Sequence, residues 1–204
     1  MRYLGVGFLL AGLLISLVYF VRNSREMNQP ISIEAHKVRG NPKGPVFLTV
    51  FSDFECPFCA EVRHILDDLL KVFPDTLKIV FKHFPLSIHE FAVPAAEASE
   101  CASDQGQFWA YHDLLFERIE DLYKTKNVNN VFFGLAKELK LNETQFQQCL
   151  ESGVKKALVT SDKNEGKKFF VSGTPTILLN GKKVMTQNKF DYLKQEIEKS
   201  LNNE

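Results

Sequence analysis

The first pattern in the chain is an unbroken apolar run. Tyr3 to Val21 carries no charge over 19 positions, about 28 Å of helix at 1.5 Å per residue. That approaches the hydrocarbon thickness of a bilayer and exceeds the apolar stretch of an ordinary cleaved leader. Arg22-Asn23-Ser24-Arg25-Glu26 offers no Ala-x-Ala type cleavage site. Residues 1–22 are therefore expected to be one N-terminal transmembrane helix serving as an anchor, with a signal segment as the alternative. A soluble core helix fits less well, because the run is apolar on every face. Residues 23–43 are polar and broken by Pro30, Gly40 and Pro42. They read as a linker with one short strand at Ile31 to Ala35.

Beyond the linker the period changes repeatedly. Pro45 to Phe51 is a short, β-rich apolar run that suits a buried central strand. Val62, Ile65, Leu66, Leu69, Leu70 and Phe73 then follow helical spacing, and Pro74-Asp75 ends them. Leu77 to Lys82 reads as a second strand, completing a βαβ unit. From about Phe91 to Lys168 the pattern is helical. Phe108, His112, Leu115, Ile119 and Leu122 form one stripe, and Val128 to Leu139 another. Asn142 to Gln145 looks like a helix cap ahead of Phe146 and Cys149. Thr176 to Leu179 and Lys182 to Met185 flank Asn180-Gly181, a two-residue hairpin signal. Phe190, Leu193, Ile197 and Leu201 make a closing amphipathic helix. The expected fold class is α/β.

Composition changes this picture little. The chain has 25 basic and 25 acidic residues, so nothing in its charge recommends nucleic acid as a partner. Its four cysteines are informative by position.

Cys56-Pro57-Phe58-Cys59 stands where the first helix of the βαβ unit begins. Unpaired amides of a first helical turn, with the positive end of the dipole, stabilise a thiolate there. That lowers the pKa of Cys56. Pro57 suits a position whose N–H would have no partner, and Cys59 lies one turn further in, able to close a disulfide. A structural zinc site would need a second such pair, so no metal is expected. Covalent haem would need His where Ala60 stands. A purely structural disulfide remains the bland alternative. Val171-Ser172-Gly173-Thr174-Pro175-Thr176 precedes a strand, where a proline marks a strand start, an edge or a cis turn.

Four motifs, taken together and in this order, carry a resemblance. They are Phe51-Ser-Asp-Phe-Glu-Cys-Pro-Phe-Cys59, Phe84-Pro85-Leu86 with His89, Gln105-Gly106-Gln107-Phe108-Trp109, and Gly173-Thr174-Pro175-Thr176. From about Gly44 to the C-terminus the chain resembles the DsbA-like thiol–disulfide oxidoreductases of the thioredoxin superfamily. The resemblance implies a thioredoxin fold over 44–204 with a helical insertion at about 86–168. It implies that Cys56 is an exposed nucleophile, Cys59 its resolving partner, Pro175 a cis-proline against them, and Thr174 a backbone partner for extended substrate. Pro57 and Phe58 complete the active-site turn. No cofactor is called for. The partners implied are reduced or misoxidised client proteins and a quinone-linked membrane reoxidant of DsbB-like or VKOR-like type. Together with the apolar run, the expectation is a monomer in a bacterial envelope, tethered in the cytoplasmic membrane through residues 3–21 with its catalytic domain on the periplasmic side.

Departures from the oxidase pattern bear on direction. Phe58 stands where the well-known oxidases have His, which removes one thiolate-stabilising group. Val50 occupies a strand position that often carries a buried acid; Asp53 and Glu55 read as solvated loop acids, with proton handling by one of them in its place as the alternative. Thr174 before the proline resembles isomerases as much as oxidases. Oxidation of cysteine pairs is the expected direction. Reduction or isomerisation through the same site is the alternative, and a non-catalytic anchored adaptor a more distant one. Cys101 and Cys149 lie in separate helical segments. They are expected to form a disulfide in an oxidising compartment, or else to be two buried thiols. His64 reads as solvated, His83 as ending a strand near the expected active edge, and His89 and His112 as structural or capping; none is assigned a catalytic role.

Overall fold

The computed structural model describes residues 30–184 and 190–202. The segment expected as a membrane anchor and Met185 lie outside them. No helix among the described residues is long and apolar enough to cross a membrane. The described residues from Ser32 onward form one compact unit.

A five-stranded sheet runs in the order β1-β3-β2-β4-β5. Its strands are β1 (Val38–Gly40), β2 (Val46–Ser52), β3 (Leu77–His83), β4 (Thr176–Leu179) and β5 (Lys182–Val184). Only β2 and β3 pair in parallel, with Val46 opposite Leu77 and Ser52 opposite His83. The crossover between them is helix α1 (Pro57–Val72). β2 sits centrally between β3 and β4, which is why six of its seven residues are buried and its sequence is almost wholly apolar. The β4–β5 hairpin turns on Asn180 and Gly181, both at positive φ (46° and 80°), the conformation that Asn-Gly adopts readily.

Between β3 and β4 come six helices: α2 (Ala92–Ser103), α3 (Phe108–Glu117), α4 (Ile119–Lys124), α5 (Val128–Glu138), α6 (Glu143–Ser152) and α7 (Lys156–Lys168). Helix α8 (Phe190–Asn202) closes the chain. The stripe from Phe108 to Leu122 suggests one helix, but the chain breaks at Arg118 into α3 and α4. Phe108 and Leu115 of the first piece and Leu122 of the second lie in the same core, so the pattern runs through the break.

Two cores result. Val62, Leu66 and Leu69 of α1 pack with Leu193 and Ile197 of α8 against Leu48, Val50, Ile79 and Ile177 of the sheet. Tyr111, Leu115, Phe132 and Phe146 centre the helical core, which also takes in Phe54, Phe81, Cys56 and Cys59. Trp109 packs against both. On the opposite sheet face α7 lies close because residue 166 is glycine. A Cβ there would stand 2.8 Å from Phe84 and 2.9 Å from Phe51. Cys101 of α2 is bonded to Cys149 of α6, closing 48 residues with Cα atoms 5.8 Å apart.

The tail of the expected linker is part of this architecture. The strand expected at Ile31 to Ala35 is absent; a 3₁₀ turn, Ala35–Lys37, leads into β1 instead, which pairs antiparallel with β3. Polar residues disguised it, because their partners are buried elsewhere in the fold. Lys37 Nζ lies 2.6 Å from Asp162 Oδ2 and 3.3 Å from Glu100 Oε1. Lys82 Nζ reaches Asp162 Oδ1 at 3.0 Å and Glu34 Oε2 at 2.9 Å. His83 Nε2 and His36 Nε2 each lie 2.9 Å from Glu100. Lys37, Lys82, Glu100 and Asp162 are all essentially inaccessible.

Two measurements follow from these links. Asp162→Ala would leave Lys37 and Lys82 buried without their shared partner, and urea unfolding should show a loss of about 3–5 kcal/mol. Burial raises the pKa of Glu100 and of Asp162, but His36 and His83 at Glu100, and His83, Lys37 and Lys82 at Asp162, outweigh it and leave both lowered. The unfolded chain therefore binds these protons more readily. The stabilisation is complete above about pH 4.5 and lost progressively as pH falls below it. Replacing both Cys101 and Cys149 by Ser should cost roughly 4 kcal/mol in the loop-entropy model, read as a lowered urea midpoint.

Candidate active site

Strand β2 ends at Ser52, and the chain turns so that the Cys56 amide donates to the Asp53 carbonyl at 3.1 Å. Cys56 is then the N-cap of α1, with extended backbone (φ −88°, ψ 116°), and Pro57 occupies the first turn. The four positions of the Cys-Pro-Phe-Cys turn are thus set by a buried strand on one side and a helix start on the other. Across from it, the Thr174–Pro175 peptide bond is cis. The Cys56 thiol donates to the Thr174 carbonyl at 3.4 Å. Residues 118 apart in sequence meet here because β4, which begins at Thr176, pairs with β2 through Phe51 opposite Thr176.

The two cysteines are free thiols, and exposure does not distinguish them. Cys56, expected to be exposed, is only 4% accessible, against 3% for Cys59. Phe58 between them is 57% exposed and forms the outer rim. Protonation separates the pair. A hydrogen bond from the Cys59 side chain draws the Cys56 pKa down to about 6, against the opposing effect of burial and with help from Thr174 and the Cys59 and Phe58 amides. Burial pushes Cys59 well above the ordinary thiol range, and its contact with Cys56 adds to this. The helix start contributes, as its sequence implies, but the neighbouring thiol is the larger cause.

The loop acids differ from expectation. Asp53 and Glu55 are 2% and 4% accessible, not solvated. Asp53 Oδ1 accepts from the Glu55 amide at 2.8 Å, while Oδ2 accepts from the Leu86 amide at 2.7 Å and meets His89 Nδ1 at 2.8 Å. One carboxylate thereby ties the loop after β2 to the loop after β3. The Glu55 carboxylate accepts from the Phe91 amide at the start of α2, and its carbonyl from the Tyr123 hydroxyl of α4. Burial raises the Glu55 pKa, partly offset by Phe91. Phe54, between the two acids, stacks on Phe81 with centroids 5.5 Å apart. The one sequence hint of burial is position: both acids lie within three residues of a mostly apolar strand. His64 is exposed, and no group of His, Cys, Asp and Glu among the described residues could hold a metal ion.

Residues 32–199 match the family model described as Thioredoxin. The fold is similar to that of BdbD from Bacillus subtilis in its oxidised crystal structure. The TM-score is 0.72 at 29% identity, over 85% of this chain and 96% of that one. α-DsbA1 from Wolbachia pipientis aligns with a TM-score of 0.71 at 20% identity, over 85% and 94% of the two chains, a likeness of fold. Among curated proteins, the Na(+)/H(+) antiporter NhaA 1 of Salinispora arenicola is 34% identical over 155 residues, and that of Mycolicibacterium gilvum 35% over 158. Each match takes in 76% of this chain but 23% and 25% of those proteins. The chain spans about a quarter of the length of the curated relatives it matches.

Titrating the reduced protein by thiolate absorbance should show one cysteine ionising near pH 6, a step that Cys56→Ala removes. Because the Cys59 contact is the leading cause, Cys59→Ala should move that midpoint up toward an ordinary thiol. A midpoint left near 6 would give the leading role to the helix start instead.

Proposed function

The chain belongs to the thioredoxin family and is DsbA-like within it, and on that premise we propose that it is a thiol–disulfide oxidoreductase that oxidises cysteine pairs in other proteins. The observation that carries the reading is the unequal pair at the start of α1: a Cys56 thiol drawn down to about 6 beside a Cys59 pushed up. A stabilised thiolate favours the reduced form, which makes the corresponding disulfide a stronger oxidant. In the oxidised enzyme a client thiolate attacks Cys56 Sγ, the Cys56–Cys59 bond breaks, and Cys59 leaves. A second client thiol then displaces Cys56, which departs readily as a low-pKa thiolate.

The Thr174 carbonyl beside Cys56 suits backbone pairing with an extended client segment. The exposed Phe58 offers it an apolar contact without the charge assistance a histidine would give. An extracytoplasmic setting is supported by the Cys101–Cys149 disulfide, since such bonds persist in oxidising compartments. In that setting residues 3–21 would tether the domain, and a quinone-linked membrane oxidase would restore the Cys56–Cys59 disulfide.

Equilibrating the protein with glutathione buffers gives the potential of the Cys56–Cys59 couple. A value between about −120 and −180 mV, the range the handful of dedicated disulfide donors occupies, is expected for net oxidation. A value near about −270 mV would reverse the assignment and make the chain a reductant.

A further inference from the structure

Behind Cys59, between α1, α3 and the sheet, lies a cavity of about 20 Å³, enough for one water molecule. Cys59, Ser52, Arg39, Arg63, Asp67 and His112 are among the residues that line it. Arg63 Nε is buried with no hydrogen-bond partner among the described residues, and a water in this cavity would supply one. Val50, also in the lining, brings no acid from the strand. Cys59 nevertheless needs to gain and lose a proton in every cycle, because burial keeps its thiol protonated whenever the enzyme is reduced.

His112 has the geometry of a base. It is caged by Phe81, Trp109, Phe116 and Phe54, with ring centroids at 4.9, 4.9, 5.0 and 5.6 Å. Its Nδ1 lies 2.8 Å from Asp113 Oδ1. Asp113 is itself held by Arg39 Nη2 at 2.5 Å, with Arg63 Nη1 at 3.8 Å. Burial works against the Asp113 charge, but His112 and Arg39 draw its pKa down to about 2. A carboxylate only accepts hydrogen bonds, so Nδ1 carries the hydrogen and the Nε2 lone pair is left free. Among the described residues Nε2 has no hydrogen-bond partner. The charged groups around His112 are Asp113 from its own helix, Arg39 from β1, and Arg63 and Asp67 from α1.

We propose that His112, oriented by Asp113, exchanges the Cys59 proton through a water in this cavity. The inference rests on the oxidoreductase reading above. With oxidised glutathione as the oxidant, Cys56 first forms a mixed disulfide and releases one glutathione thiolate. The Cys59 S–H bond then breaks; its proton passes to the water, and a proton of that water passes to His112 Nε2. The electron pair left on Cys59 forms the bond to Cys56 Sγ, and the bond from Cys56 to glutathione breaks with its pair on the leaving sulfur. The two cysteines are oxidised by two electrons and one glutathione disulfide is reduced to two thiols. The imidazolium, facing Asp113, returns its proton to solvent. During client oxidation the same path runs in reverse and protonates the departing Cys59. His112 is thus a positioning residue for the proton, not a nucleophile.

The test mixes the full-length reduced protein with oxidised glutathione, quenches with acid, and resolves attack from closure by intact-mass analysis. His112→Gln is expected to leave the attack by Cys56 within about twofold and to slow closure at neutral pH by at least about tenfold. Closure in that variant should then climb about tenfold per pH unit as hydroxide takes over, where the unmodified protein is flat above neutrality. Asp113→Asn, at a half-buried side chain, should slow closure in the same sense and to a smaller degree. It decides the matter if His112→Gln does not fold. Closure at the unmodified rate and pH profile in the variants overturns the relay, and so does equal slowing of attack and closure, which a purely structural role would give. Absence of any mixed disulfide at Cys56 in the unmodified protein removes the oxidoreductase reading and the relay with it.

Discussion

A thiolate at the first turn of α1 has to be stabilised by what touches it, because water hardly reaches it: Cys56 is 4% accessible. Burying a charge is unfavourable unless hydrogen bonds or dipoles replace the lost hydration. Here the replacements are short-range and few: the Cys59 thiol, Thr174 and two amides of the helix start. They come from two parts of the architecture, the first turn of α1 and the loop before β4. The amides require α1 to begin at Pro57, and Thr174 requires β4 to pair with β2 in its observed register. The neighbouring thiol requires Cys59 to hold its proton, which burial in the helical core ensures. The asymmetry between two chemically identical side chains is therefore a property of the whole fold.

That arrangement tolerates little movement, and the polar groups around it serve to fix it. Asp53 fastens the turn before Cys56 to the loop that carries Leu86 and His89, and Glu55 fastens the same turn to α2 and α4. Loop acids of this kind act as buried connectors, their desolvation offset by backbone amides that would otherwise be unpaired. On the far side of the sheet the ion-pair network of Lys37, Lys82, Glu100 and Asp162 joins the segment before β1 to β3, α2 and α7. The net stability gained from such a buried network is small, since each charge leaves water to join it. Breaking one member is costly because the remainder stay buried.

The helical insertion has a chemical as well as a mechanical relation to the thiols. It supplies Phe108 and Phe116 to the core around Phe54 and Phe81, and it closes the cavity behind Cys59 with His112 and Trp109. Arg39 stacks over Trp109 at 4.3 Å while pairing with Asp67 and Asp113, so β1, α1 and α3 meet on one guanidinium. The adjacent strand brings Val50 and Ser52 to this cavity and no carboxylate.

Local signals in the chain were enough for much of this protein. The apolar period gave the central strand, the helix after Cys56, the Asn180-Gly181 turn and the closing helix, since each depends on residues close in sequence. The Cys-Pro-Phe-Cys turn and the distant Thr174-Pro175 pointed to Cys56 and Cys59 by resemblance and by the chemistry of a helix start. Several features lay beyond that reach. Val38–Gly40 became a strand only by pairing with β3; Asp53 and Glu55 were buried by Leu86, His89 and Phe91; and Lys37, Lys82, Glu100 and Asp162 found one another across 125 positions or fewer. Charged side chains read as solvated in one dimension because their partners are not neighbours in sequence. Periodicity reports what a residue's own element buries, whereas the burial of Cys59 and His112 and the approach of Thr174 to Cys56 come only from tertiary packing.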